Sequence, residues 1–315
     1  MKKCLFLLFL SASIFAAPQD QNAKDLGPWF TGPLLAPSAS CNSFRELTWQ
    51  PYLFFTNTFG SFDNNWNRKN APNLYTVRAL VDITYGISAF MDIEATPSFV
   101  YQTSQGSSSV RMSDTPIFLG IQVLRQTKDN YLPDLCIRLM QTLPLGQYDK
   151  LNPKNNGTDQ SGDGTFESGI TFDFQRLFQV SEDRYFRLRW AIVTTLYASD
   201  VHVKGLNAYG GGPKTSGTVS PGKPFTFFLS GEYTLTQNWG LAFDTVYILK
   251  TPSSFSGKTG GDKVGTPTSH QITFAPAVEY NFSKSIGIIG GGNFALAGKN
   301  ASNFWSGIIS AVISY

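Results

Sequence analysis

Charge is scarce in this chain, histidine is nearly absent, and long apolar runs are missing. Asp, Glu, Lys and Arg make up 15% of the 315 residues, and the formal net charge is +3. Lys2 and Lys3 sit in a leader, so the remainder is close to neutral. That balance lacks the basic footprint of a nucleic-acid-binding protein. Two histidines, His202 and His270, offer little for histidine-based catalysis. Three cysteines exclude a disulfide-dense scaffold. No apolar run after residue 17 approaches the ~20 residues of a membrane-spanning helix.

Aromatics are plentiful at 14%, and there are 29 glycines. Met1-Lys2-Lys3, an apolar stretch from Leu5 to Phe15, and Ala16-Ala17 form a secretory leader, residues 1–17. Cys4 precedes the apolar core of that leader, so it cannot become a lipidated mature N-terminus.

Alternation with period two recurs through the rest of the chain, which is strand geometry. Between 75 and 85, Tyr75, Val77, Ala79, Val81, Ile83 and Tyr85 oppose Thr76, Arg78, Asp82 and Thr84. Between 185 and 197, Phe186, Leu188, Trp190, Ile192 and Leu196 oppose Arg187, Arg189 and Thr195. Twelve strands are expected, near 45–56, 74–85, 87–102, 114–125, 134–143, 165–175, 184–197, 224–235, 239–249, 269–282, 285–296 and 303–315. Long linkers (60–73, 104–113, 144–164, 199–223 and 251–268) alternate with short ones, apart from the short linker 297–302. This pattern predicts an all-β fold: a transmembrane antiparallel up-and-down β-barrel, with long extracellular loops and short periplasmic turns. An even strand number puts both termini on the periplasmic side. The competing fold is a secreted β-sandwich or soluble barrel. Aromatics at both strand ends, such as Tyr75/Tyr85 and Trp239/Tyr247, favour the two interfaces of a membrane.

The chain ends on such a strand. Trp305, Ile309, Ile313 and Tyr315 share one face, expected against lipid, while Ser306, Ser310 and Ser314 share the other. This ending resembles the C-terminal assembly signal of Gram-negative outer-membrane proteins, which implies recognition by the barrel-assembly machinery.

The stretch Arg138–Phe174 reads RLMQTLPLGQYDKLNPKNNGTDQSGDGTFESGITFDF. With WFTGPLLAPSA at residue 29 and a following strand containing Gln50-Pro51-Tyr52-Leu53-Phe54, it resembles outer-membrane proteins of the phenol-degradation meta-pathway family. The resemblance implies a barrel of this size with a transport role, in the bacterial outer membrane. It carries over no individual site.

The division is therefore a leader at 1–17, an N-terminal extended segment at 18–44, and a barrel at 45–315. Strand parity turns Arg78, Arg138, Arg187 and Arg189 toward the lumen. It also turns Asp82, Asp92, Glu94, Glu167, Asp173, Glu232, Asp244 and Glu279 inward. These charges either brace the barrel or filter solutes, and eight acids against four arginines would favour cations. The N-terminal segment, with Trp29, Phe30, Leu34 and Leu35 among prolines, is too apolar for a free tail. It is expected at the periplasmic mouth or in the lumen as a partial plug. Cys41 and Cys136 fall at the same end of the barrel, as one disulfide or as two buried thiols. Asp159–Gly164 matches half of a calcium loop, but position twelve is Ile170, so a solvated turn is favoured and no metal is expected. No cofactor is implied.

The expected function is passive passage of small solutes, hydrophobic or aromatic ones among them. The expected partners are those solutes, outer-membrane lipids and the assembly machinery. The alternatives are a surface barrel with a plugged lumen, and a membrane-embedded lipid hydrolase.

Overall fold

The computed structural model describes residues 27–127 and 131–315. The expected leader, residues 1–17, lies outside the described residues, as does the beginning of the N-terminal segment.

The described strands are β1 (Leu47–Phe62), β2 (Arg68–Ser88), β3 (Met91–Ala95), β4 (Ser98–Ser104), β5 (Ser107–Met112), β6 (Thr115–Leu124), β7 (Asp134–Leu143), β8 (Glu167–Ser181) and β9 (Arg184–Ala198). They continue with β10 (Val201–Lys204), β11 (Ser216–Ser220), β12 (Pro224–Thr234), β13 (Trp239–Lys250), β14 (Ser254–Lys258), β15 (Ser269–Asn281), β16 (Ile286–Lys299) and β17 (Ala301–Ser314). Fourteen of them form one antiparallel sheet, and β1 pairs with both β2 and β17. The sheet therefore closes into a barrel with no free edge. β3 and β4 form a single wall strand interrupted at Thr96-Pro97, and β5 and β6 another interrupted at Ser113-Asp114. The barrel thus has twelve strands.

Closure is set by register. Trp49 pairs with Ile313 and Leu53 with Ile309 on one side of β1. Tyr52 pairs with Leu80 on the other. At the seam, Leu47 and Tyr315 exchange backbone hydrogen bonds of 3.2 and 3.0 Å. The alternation of β17 follows the two solvents: Trp305 and Ile309 are exposed on the outer wall, while Ser306 and Ser310 are buried inside. Near the terminal end of the barrel, Trp239, Tyr280 and Phe282 form an edge-to-face aromatic chain with centroids 4.8 and 4.9 Å apart.

Two linkers expected to be long are tight hairpins. Residues 63–67 join β1 to β2, where Asp63 accepts the backbone N–H groups of Asn65 and Asn67 at 2.8 and 3.0 Å. Those two bonds hold the Asp63 carboxyl below the usual range. Gln105 and Gly106 turn β4 into β5 with φ of 48° and 81°. Positive φ at both central residues matches the twist of a two-residue hairpin.

The three remaining long loops form a cap. β10, β11 and β14 make a small antiparallel sheet. Val201, Val203, Tyr209 and Val219 are its buried core, packed by Tyr148 and Phe255. Residues 144–166 bind this sheet through Lys150 N–H to the Lys204 carbonyl at 2.9 Å and Ala208 N–H to the Tyr148 carbonyl at 2.7 Å. The Tyr209 hydroxyl donates to the Asp163 carbonyl at 2.8 Å. Burial, together with the nearby Asp163 carboxylate, pushes that hydroxyl well above the usual tyrosine range.

Candidate functional site

The lumen is threaded by the chain's own N-terminal segment, and the wall residues that hold it can be read in order. The Thr31 N–H donates to Glu279 Oε2 at 2.7 Å, and its hydroxyl to Asn281 Oδ1 at 2.9 Å. The N–H groups of Leu35 and Ala36 donate to the two Asp244 carboxylate oxygens at 3.2 and 3.1 Å. The Cys41 N–H donates to Gln122 Oε1 at 2.8 Å, and the Asn42 N–H to Asp92 Oδ2 at 3.0 Å. Prolines 28, 33 and 37 keep the segment out of helical pairing, so its backbone donors need partners elsewhere. Inward carboxylates on β3, β13 and β15, with an amide on β6, supply them.

Side chains complete the fit. Leu34 is 2% exposed and packs with Ala242, Ala275, Ala277, Ile289 and Ile308. The Phe30 ring lies under the Arg187 guanidinium, 4.4 Å from centroid to Cζ. The Trp29 carbonyl accepts from Asn281 Nδ2 at 3.4 Å. Gly287 and Gly291 on β16 make the close approach possible: a Cβ at either would overlap Thr31 or Leu34. Leu34→Ala should therefore weaken docking. Burying this side chain is worth about 2–5 kcal/mol, limited by the free energy with which the whole segment docks. The expected readout is a lower urea midpoint and faster proteolysis near residue 34. An unchanged midpoint with unchanged cleavage would contradict this packing.

The inner charges form two clusters. Arg138 on β7 reaches Asp92 at 3.0 Å, Asp173 at 3.3 Å and Glu94 at 3.4 Å. It also donates to the Ser38 carbonyl at 3.2 Å, tying the segment to this cluster. Arg187 on β9 binds both oxygens of Glu232 on β12 at 2.6 Å, a planar two-bond fork. Arg189 approaches the same carboxylate at 3.4 Å. Glu167 accepts from the Thr195 hydroxyl at 3.3 Å. Asp92, Asp173, Glu232, Asp244 and Glu279 are all essentially inaccessible. The sequence count of eight acids to four arginines therefore overstates the free negative charge, because arginines and backbone N–H groups occupy most of the acids. Cation preference does not follow from that count.

Beside the segment lies a cavity of about 510 Å³, bordered by Phe30, Leu35, Tyr52, Asp82, Phe118 and Phe228. A second cavity, of about 350 Å³, includes Arg78 and lies beneath residues 160–163 of the cap. Cys41 and Cys136 are buried free thiols with their sulfurs 3.3 Å apart. Thr48 on β1 and Ser314 on β17 join their hydroxyls at 2.9 Å across the seam. Ile313 and Tyr315 continue the outward side of β17, and Tyr315 is 79% exposed.

The remaining candidates lie in the cap or at its rim. His202 Nδ1 meets the Thr218 hydroxyl at 3.0 Å, and His270 Nδ1 meets the Tyr247 hydroxyl at 2.9 Å. Asp159 is buried, where a solvated turn was expected. It accepts the Asn152 N–H at 2.8 Å and Asn155 Nδ2 at 3.0 Å, closing a short 3-10 turn at Pro153–Asn155. Asp163 pairs with Lys250 at 3.0 Å.

Some contributors escaped the sequence reading. Gln122 grips the segment from both sides, since its Nε2 also donates to the Ala39 carbonyl at 2.9 Å. A lone glutamine in a strand carries no signal of this. The Gly290-Gly291-Gly292 run did carry one, because glycine inside a strand marks close backbone approach.

No family model and no curated protein sequence matches the chain. Solved structures do match by fold. The COG4313 outer membrane channel from Pseudomonas putida F1 superimposes with a TM-score of 0.67 at 12% identity, over 89% of this chain and 100% of that one. The NanC porin gives 0.40 at 10% identity, over 83% and 98%. The TodX monoaromatic hydrocarbon channel gives 0.38 at 11% identity, over 87% and 90%. The fold is that of a bacterial outer-membrane β-barrel.

Proposed function

We propose that this protein is a passive outer-membrane channel for small solutes, with residues 27–43 lodged in its lumen as the constriction. The observation that carries this reading is how the segment is held. Wall carboxylates grip its backbone through hydrogen bonds while a cavity of about 510 Å³ remains alongside. A lumen built only as a solid core would be close-packed, with few voids larger than a water molecule. The mixed aromatic and polar border of that cavity suits compact solutes, including aromatic ones. The resemblance of Arg138–Phe174 to the phenol-degradation meta-pathway family supports the same role. In this reading the chain is exported by its leader, both termini are periplasmic, and the final strand presents Trp305, Ile309, Ile313 and Tyr315 to lipid and to the assembly machinery.

The cap favours a second reading, a surface barrel whose loops do the work above a closed lumen. Osmotic swelling of proteoliposomes separates the two. The channel reading expects arabinose to enter vesicles holding the full-length protein, and to enter faster when residues up to Ser40 are removed. If correctly folded protein admits no solute in either form, the surface-barrel reading replaces it.

A further inference from the structure

The cavity of about 510 Å³ beside the N-terminal segment has Arg189 on one of its sides. This residue is 7% exposed. Its Nε approaches Glu232 at 3.4 Å, and it makes no hydrogen bond among the described residues. Buried polar groups are nearly always hydrogen-bonded, so open donors at the edge of a cavity call for a partner. Glu232 does not supply one, because Arg187 holds both of its oxygens at 2.6 Å. Asp244 on β13 and Glu279 on β15 accept N–H groups of the segment instead. The segment passes the two terminal nitrogens of Arg189 at Gly32, which brings no side chain to them: a Cβ there would lie 3.7 Å from each.

The opposite side of the cavity belongs to β1, β2, β3 and β6, with β7 and β8 standing between β6 and β9 in the wall. Asp82 on β2 forms no ion pair among the described residues, and the Thr96 hydroxyl is beside it. Tyr52 pairs with Leu80, and Asp82 follows two residues further along β2. Glu94 pairs with Thr84 on one side and with Phe118 on the other. Tyr52, Asp82, Glu94 and Phe118 are therefore neighbours on four adjoining wall strands, and all four border the cavity. Two carboxylates flanked by two rings suit an ammonium group, which is attracted both by the charges and by the ring faces. Glu94 is shared with Arg138 at 3.4 Å, which leaves Asp82 the freer of the two. The other charges at the cavity are engaged: Arg138 with Asp92 and Asp173, Arg187 with Glu232, and Glu46 with the Ser43 N–H.

We propose that this cavity binds a small aromatic zwitterion of the amino-acid type, its carboxylate on Arg189 and its ammonium at Asp82 and Glu94. A guanidinium presents a planar fork that matches a carboxylate. Phe228, which also borders the cavity, adds apolar wall for the solute's own ring. The volume lies in the range of small-molecule sites. A role for this site in passage rests on the channel reading, whereas binding is measured without passage.

The test is isothermal titration of the full-length protein in detergent, with protein-free micelles as the blank. The probes are phenylalanine, 3-phenylpropionate, which lacks the ammonium, and 2-phenylethylamine, which lacks the carboxylate. Phenylalanine binds, and each analogue binds about tenfold or more weakly, as expected for loss of one charge-assisted contact. Asp82→Asn weakens phenylalanine by a similar factor and leaves 3-phenylpropionate unchanged. Arg189→Gln weakens phenylalanine and leaves 2-phenylethylamine unchanged, a split that a merely structural role would not produce. Heat-modifiable migration on a gel verifies the fold of each variant, and Asp82→Asn, which breaks no ion pair, carries the test if Arg189→Gln does not fold. Absence of phenylalanine binding by the folded wild type, equal binding of either analogue, or an unchanged phenylalanine affinity in folded Asp82→Asn or Arg189→Gln overturns the proposal. Any of these leaves the arabinose swelling result, and the channel reading, standing.

Discussion

Replacing Arg138 with methionine is expected to destabilise the barrel by about 3–5 kcal/mol, the usual cost of removing one partner from a buried ionic cluster. The side chain is 4% exposed and is surrounded by Asp92, Glu94 and Asp173. Methionine fills similar space but leaves three carboxylates facing one another without a cation. Asp92 also accepts the Asn42 N–H, and Arg138 donates to the Ser38 carbonyl. The loss therefore reaches the N-terminal segment as well as the wall. Urea unfolding in micelles measures it. Arg138→Lys should recover only part, because one ammonium cannot serve three carboxylates and a carbonyl in separate directions. A midpoint unchanged in Arg138→Met would mean that solvation or protonation of the carboxylates, and not Arg138, stabilises this cluster.

The second large effect is redox. Cys41 belongs to the threaded segment and Cys136 to β7, with their sulfurs 3.3 Å apart. A disulfide needs about 2.05 Å, so a small side-chain movement brings the sulfurs into bonding range. Oxidation by an exogenous disulfide such as oxidised glutathione would join the two sulfurs and release two molecules of the reduced thiol. The bond would close a loop between positions 95 apart in sequence. On the chain-entropy model such a loop contributes about 4–5 kcal/mol against unfolding. It would also fasten the segment covalently to the wall. In a form lacking residues 1–17, and with them Cys4, two titratable thiols are expected in the reduced, denatured protein and none after oxidation. The oxidised protein should resist urea further, while Cys41→Ser should show no redox response. Two reactive thiols persisting after oxidant treatment of the folded protein would exclude the latch.

The barrel was legible because lipid and lumen impose opposite demands on alternate residues. For the strands expected at 134–143 and 184–197, the observed limits nearly coincide with the expected ones. Where strands project beyond the lipid, that contrast vanishes. Arg68-Lys69-Asn70 at the head of β2 has no apolar partner rows, so β1 and β2 run further than expected and their turn is shorter. The Gln105-Gly106 hairpin was missed because only its glycine advertises positive φ. Parity identified inward charges from single strands, but their pairing depends on which strands are neighbours and in what register. Arg187 finds Glu232 only because β9 lies beside β12. The grip of Asp244 and Glu279 on backbone N–H groups was not legible, since it requires a segment more than 200 residues away in sequence.

Single-channel conductance in a planar bilayer tests the central claim most directly, comparing the full-length protein with a form lacking residues up to Ser40. A constriction formed by residues 27–43 predicts small or intermittent steps from the full-length protein and steady steps, several-fold larger, from the truncated one. Equal conductance in the two forms would contradict a constricting role for the segment, and silence in both, with folding verified, would contradict the channel itself.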